Sequence, residues 1–318
     1  ELLGGPVRDR VRVYNWVGGD TPHDIRRGLE LAMDSGMTAV KMNGAGKMRA
    51  IEPPSAIKAL VDNAQLTREV LGPTREFAVD FHGRMSPASA KIAFGELEST
   101  RPMFVEEPVV PELAPTAVKA LVDHTSIPIA LGERVYSRWE FLPLLQQGLA
   151  VVQPDASHAG GISELRRIAA LAETFGASLA PHCPLGPISL AACLQVDVST
   201  PNFLIQEHSI GIHYNNGTDL LNYVVDTEPL AIRNGHIERP LQPGLGIEVD
   251  EQQFGRLLQT TLIGSRQDGA TMTEALPNGD RSGGGPDRPG DYRDGGAPRY
   301  RSGHSVGGSV SGSTSSIS

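Results

Sequence analysis

The chain has 318 residues, 39% of them apolar, with a formal net charge of -9, 36 glycines, 24 prolines and two cysteines. This length and apolar content can bury a sizeable core, and the glycines and prolines suit many short turns. An acidic balance without a dense basic stretch excludes nucleic acid as a partner, and no apolar run nears the roughly 18 residues that a membrane span needs.

In chain order, an apolar run at residues 11–17 follows almost directly on Glu1-Leu2-Leu3-Gly4-Gly5, and the first methionine is Met33. This beginning leads us to expect a processed product or a fragment without its N-terminal part; no signal-peptide pattern is present. A stretch of helical period at 23–35 leads to a run at 37–41, with Asn43 just beyond it. Helical period at 56–71 precedes the run 77–80, which closes on Asp80 and His82. Period at 88–98 precedes the run 103–106, closing on Glu106 and Glu107. The run 127–130 is followed by Glu133, the helical stretch 138–147 and the run 149–152 with Asp155 past its end. Period at 162–175 leads to the run 178–181 and His182, and the last run, 203–206, is capped by Glu207. Strand-helix alternation at roughly 22 to 39 residues per unit predicts an α/β fold, a TIM-like (β/α)₈ barrel of about 250 residues. In such a barrel the active site is built from the carboxyl ends of the strands, where these polar groups stand.

Composition changes near Gly264. Residues 265–318 are dominated by Gly, Ser, Arg, Asp and Pro, and a segment with so few apolar clusters cannot offset its ordering entropy, so a disordered tail is the expectation. The expected organisation is a catalytic barrel at 1–225, a C-terminal segment at 226–264 and the tail at 265–318. Cys183, at a strand end, and Cys193, in an expected helix, suit free thiols in a reducing compartment, hence a cytoplasmic location.

Asp80, Glu106 and Glu133 close three successive strands. Parallel neighbours lie about 4.8 Å apart, so carboxylates at matching heights converge and, without a counter-ion, at least one pKa must rise sharply. A hard divalent cation resolves the conflict; all-oxygen ligation points to Mg²⁺, with Mn²⁺ as a substitute. Glu107 must point away from Glu106 in an extended segment and is expected to be structural, with Arg134 available to neutralise it.

His82, two residues past Asp80, would share its face in an extended segment. His182 lies across the barrel mouth, with Asp155 on the neighbouring strand; a carboxylate behind an imidazole fixes its tautomer and raises its basicity, as a general base requires. Zn²⁺ ligation by histidine is the weaker reading, because no short His-x-His spacing is present. His23, His124, His158, His208, His213, His236 and His304 lack comparable context and are expected at the surface or behind the site. A metal-bound carboxylate substrate between two imidazoles defines β-elimination of water from a hydroxy acid: one histidine removes the proton beside the carboxylate, the other protonates the leaving hydroxyl.

These residues resemble the enolase superfamily, whose sites combine a Lys or His base with Mg²⁺. Within it they are most similar to the D-galactonate dehydratases of the mandelate racemase branch. The likeness rests on Trp16-Val17-Gly18-Gly19-Asp20, Val40-Lys41-Met42-Asn43-Gly44, Asp80-Phe81-His82-Gly83-Arg84, Glu106-Glu107-Pro108, Gly132-Glu133-Arg134, Gln153-Pro154-Asp155, Pro181-His182-Cys183-Pro184-Leu185-Gly186-Pro187 and Gln206-Glu207-His208. It implies Asp80, Glu106 and Glu133 as Mg²⁺ ligands, His182 with Asp155 as the base at C2, and His82 as the acid at the 3-hydroxyl. It also implies Glu207 as a hydrogen-bond partner of the enediolate and Asn43 as a substrate contact. The implied partner is a small sugar acid, the product 2-dehydro-3-deoxy-D-galactonate, and the full-length enzyme a homo-oligomer. The family carries an N-terminal capping domain that this chain is expected to lack, with residues 226–264 normally completing it. A dehydratase of a related aldonic acid, and an inactive cap-less fragment or binding module, are the alternatives. A racemase is disfavoured because an amide, Asn43, stands where a second base would be.

Overall fold

The computed structural model describes residues 2–18, 21–44, 48–49, 51–113, 116–210 and 220–256. The expected tail at 265–318 lies outside the described residues. Eight parallel strands carry the architecture: β1 (Arg10–Val17), β2 (Ala39–Asn43), β3 (Glu76–Asp80), β4 (Val105–Glu106), β5 (Ile129–Leu131), β6 (Val151–Val152), β7 (Ser178–Leu179) and β8 (Gln206–Glu207). Each pairs in parallel with its successor from β1 to β7, and β8 pairs with β1 through Val13↔Gln206 and Tyr14↔Glu207. The seam between β7 and β8 is closed by the parallel bridge Leu179↔Phe203 and by Leu204 N–H donating to the Leu179 carbonyl at 2.8 Å. The sheet is therefore a closed barrel, as the alternation predicts.

The helices between the strands are α1 (Pro22–Asp34), α2 (Pro54–Leu71), α3 (Pro87–Leu97), α4 (Ala117–Val122), α5 (Arg138–Leu145), α6 (Ile162–Thr174) and α7 (Pro187–Asp197). Four begin with proline, whose fixed φ and missing N–H suit the first helical position. Thr21 and Ser86 cap α1 and α3 by accepting from the backbone N–H of Asp24 and Ser89, each at 3.2 Å.

Two apolar layers follow from the two-residue period of a strand. Outward-facing Val11, Val13, Val40, Met42, Phe77 and Val79 pack beneath the helices. Tyr14, Ala39, Ala78, Phe104, Ala130, Val151, Ala180 and Ile205, one from each strand or the residue next to it, fill the barrel interior. The next inward position on most strands is polar, so the interior changes from apolar to charged within one residue pair.

Residues 226–264, expected to serve a cap, supply a hairpin of β9 (Ile232–Arg233) and β10 (His236–Glu238). β10 runs antiparallel to β1, with Arg10↔Glu238 and Arg12↔His236 in register. This pairing of the C-terminal segment with the first barrel strand is not part of the sequence expectation. The turn between them is Asn234-Gly235, both at positive φ (49° and 71°), the conformation that Asn-Gly adopts most readily in a two-residue hairpin.

Candidate active site

The polar groups named from the sequence gather at the carboxyl ends of the barrel strands. Asp80 and Glu106 are direct register partners on β3 and β4, almost fully buried. Glu133 stands two residues beyond β5, after Gly132. That glycine holds φ 154°, and a Cβ on it would lie 2.6 Å from the Gln153 carbonyl carbon, so no other residue fits the crossing. Asp155 and His182 follow β6 and β7, and Glu207 ends β8.

His182 Nδ1 meets Asp155 Oδ2 at 2.9 Å, and its Nε2 faces Glu133 Oε2 at 3.4 Å and Glu207 Oε2 at 4.0 Å. Asp155 is itself fixed by Ser157 N–H, which donates to its Oδ1 at 2.7 Å. Burial alone would lower the His182 pKa, but the Glu207 charge and the Asp155 hydrogen bond outweigh it and raise it to about 9. Glu207 lies in a complementary field: despite burial, the charges of Lys41 and His182 and the N–H of Cys183, 2.9 Å away, draw its pKa down to about 2.

His82 does touch Asp80, with Nε2 3.2 Å from Oδ2, but not because the segment is extended. The strand stops at Asp80, and His82 turns at φ 50°, its own N–H donating to Asp80 Oδ1 at 2.8 Å. Burial, together with the charges of Lys41 and Arg84, lowers the His82 pKa. In the eight-stranded barrel β3 and β7 are four strands apart, so His82 and His182 follow opposite strands. Asn43 ends β2 beside Asp80, and Arg84 donates to its Oδ1 at 3.4 Å.

Glu107 likewise leaves the extended conformation, at φ 42°, and turns away from Glu106. It accepts from Gly132 N–H at 3.1 Å and lies 3.8 Å from Arg134, which also reaches Glu133 at 3.4 Å. Burial drives the Glu107 carboxyl well above its usual range.

Lys41 and Gln153 are the residues that sequence reasoning missed. The Lys41 ammonium, 1% exposed, contacts Glu207 Oε1 at 2.6 Å, Glu106 Oε1 at 2.7 Å and Asp80 Oδ2 at 3.5 Å. Burial would lower its pKa, yet Glu106 and Glu207 raise it, so it remains charged. Gln153 donates to the other Glu106 oxygen at 2.7 Å. A signal existed for both, because each lies two residues beyond an interior apolar position, Ala39 and Val151. The same step leads from Ala78 to Asp80, from Phe104 to Glu106, from Ala180 to His182 and from Ile205 to Glu207.

Among the described residues no group of three His, Cys, Asp or Glu side chains is arranged to hold a metal ion as it stands. Lys41 draws Asp80 and Glu106 together, whereas Glu133 turns to His182 and Arg134. The donor set nevertheless fits a hard divalent cation. It is all carboxylate oxygen, and Asp80, Glu106 and Glu207, all buried, share the one Lys41 ammonium, three carboxylates on a single positive charge.

Comparison with known proteins places this closed barrel, with its acidic strand ends and an imidazole backed by a carboxylate, in a family. Residues 24–253 match the enolase C-terminal domain-like family, and the chain belongs to it. A D-galactonate dehydratase of Variovorax paradoxus (strain S110) is 49% identical over 255 residues, 80% of this chain and 66% of that protein. One from Cronobacter sakazakii (strain ATCC BAA-894) is 46% identical over 254 residues, with the same shares. The chain thus spans 66% of the length of the curated relatives it matches. Among solved structures, a mandelate racemase/muconate lactonizing enzyme from Jannaschia sp. CCS1 superposes with a TM-score of 0.73 at 31% identity, over 80% of this chain and 67% of that one. A member of the enolase superfamily from Salmonella Typhimurium gives a TM-score of 0.72 at 27% identity, over 80% and 69%.

Proposed function

We propose that this chain is the catalytic barrel of a Mg²⁺-dependent sugar-acid dehydratase that removes water from D-galactonate to give 2-dehydro-3-deoxy-D-galactonate. The observation that carries the reading is the Asp155–His182 pair at 2.9 Å, whose imidazole faces Glu133 and Glu207. The names of the curated relatives support the substrate.

Asp80, Glu106 and Glu133 are the residues that would hold the cation. When bound, Mg²⁺ supplies the positive charge that stabilises an enediolate, usually the largest single contribution in chemistry of this kind. The rest falls to the chain's own groups. With Nδ1 held by Asp155, His182 presents Nε2 to the site and takes the C2 proton of the substrate in its neutral form; its high proton affinity suits a weakly acidic C–H. Glu207 hydrogen-bonds the enediolate, and Asn43, at the end of β2, contacts the substrate. From the opposite side His82 donates a proton to the departing 3-hydroxyl, leaving a double bond that tautomerises to the 2-keto acid. Each positioned proton transfer contributes about 10²–10⁴-fold.

The test is an assay of the purified chain with Mg²⁺ and a panel of aldonic acids, following the 2-keto acid formed. D-galactonate should be the preferred substrate, and activity should vanish on chelation and return with Mg²⁺ or Mn²⁺. Turnover that survives exhaustive chelation contradicts the reading. His82→Asn should slow elimination more than exchange of the C2 proton, and equal losses of both would remove the acid role from His82.

A further inference from the structure

We infer that Gln153 is a positioning residue for the cation site, setting the orientation of one carboxylate and the place of another; this rests on the dehydratase reading above. Gln153 follows β6 and is 1% exposed. Its side-chain amide donates to Glu106 Oε2 at 2.7 Å, while Lys41 donates to Oε1 at 2.7 Å. Both oxygens of Glu106 are thereby held, and a carboxylate keeps further lone pairs for a cation after accepting two hydrogen bonds. One oxygen is held by an ammonium and the other by a neutral amide. Only the amide leaves the charge of its oxygen uncompensated, as a cation ligand requires.

The backbone of Gln153 acts on a second arm of the site. Gly132 crosses it so closely that a Cβ would meet the Gln153 nitrogen and oxygen at 2.7 Å, and Glu133 follows immediately. Two residues further on, Asp155 supports His182. The segment 153–155 therefore joins the orientation of Glu106, the crossing that places Glu133 and the support of the base. The side-chain amide oxygen of Gln153, Oε1, adds an independent observation: it is buried without a hydrogen-bond partner among the described residues. An amide kept with half its hydrogen-bonding capacity unused, at a position where an apolar side chain would avoid that penalty, is held for its donor. Groups that orient metal-ligating carboxylates typically contribute 10–100-fold to metal affinity.

The test uses Mn²⁺ alone, with binding followed by the loss of the free-ion electron paramagnetic resonance signal in the 318-residue chain. Gln153→Met keeps the volume and removes the donor, and should weaken Mn²⁺ binding by about tenfold or more, while its thermal melt shows that the barrel is folded. Should that variant not fold, Gln153→Asn, which retains a buried amide but ends one methylene short of Glu106, should show the same direction of change. A folded variant whose Mn²⁺ affinity stays within a factor of about two of the unsubstituted chain overturns the inference and leaves the dehydratase reading intact. Absence of Mn²⁺ binding in the unsubstituted chain overturns both.

Discussion

At the scale of single residues, the site is governed by buried charges that depend on one another. Lys41 contacts Glu106 and Glu207 directly, at 2.7 and 2.6 Å. Removing one partner of a buried pair leaves an uncompensated charge, so Lys41→Met should destabilise the chain by about 3–5 kcal/mol in chemical denaturation. Asp155→Asn keeps the shape behind His182 but not the charge, and should lower kcat by roughly 10²–10⁴-fold with little change in stability. His208, next to Glu207, is 1% exposed; its Nδ1 accepts from Ile210 N–H at 3.2 Å, so the proton rests on Nε2, which faces Asn15 Oδ1 at 3.0 Å. Burial lowers its pKa from 6.5 to about 4. A depressed histidine favours the folded state in its neutral form. Its contribution is complete above the unfolded value of 6.5 and is lost as pH falls from there towards 4, on the order of 3 kcal/mol in all. Denaturation of His208→Gln should show this part of the pH dependence removed, and an unchanged profile would assign the slope elsewhere.

At the scale of elements, short strands end in tight turns that aim the side chains. Gly132 is the most constrained of these turns, combining positive φ with backbone contact on Gln153. Gly132→Ala adds backbone strain of about 1–2 kcal/mol to overpacking of about 1–3 kcal/mol, so a loss of roughly 2–5 kcal/mol is expected in thermal or chemical unfolding. Much of the barrel was legible at this scale, because strand and helix periods differ. Asp80, Glu106, Glu133, Asp155, His182 and Glu207 were legible because polar residues at the ends of apolar runs stand out. Lys41 and Gln153 did not stand out. A charge within an apolar run reads as the run's boundary unless the two-residue step from Ala39 and Val151 is followed inward. The turns at His82 and Glu107 were not legible either, since neither residue type announces positive φ. The Asn234-Gly235 hairpin carried a readable turn signature, but its pairing with β1 spans most of the chain and has no local trace.

At the scale of the whole molecule, closure of the barrel brings residues far apart in sequence to one mouth. Tyr14 is in register with Glu207, and Asn43 with Asp80. No helix among the described residues is long and apolar enough to cross a membrane. The central claim is that His182, held by Asp155, removes the C2 proton of a sugar acid bound beside Asp80, Glu106 and Glu133. Its most direct test is proton NMR of D-galactonate in D₂O with Mg²⁺ and either the unsubstituted chain or its His182→Asn variant. The account predicts that the unsubstituted chain consumes the C2 proton signal as 2-dehydro-3-deoxy-D-galactonate forms, and that His182→Asn gives neither exchange nor product. Exchange or product retained with His182→Asn, or a C2 signal left untouched by the unsubstituted chain, would contradict it.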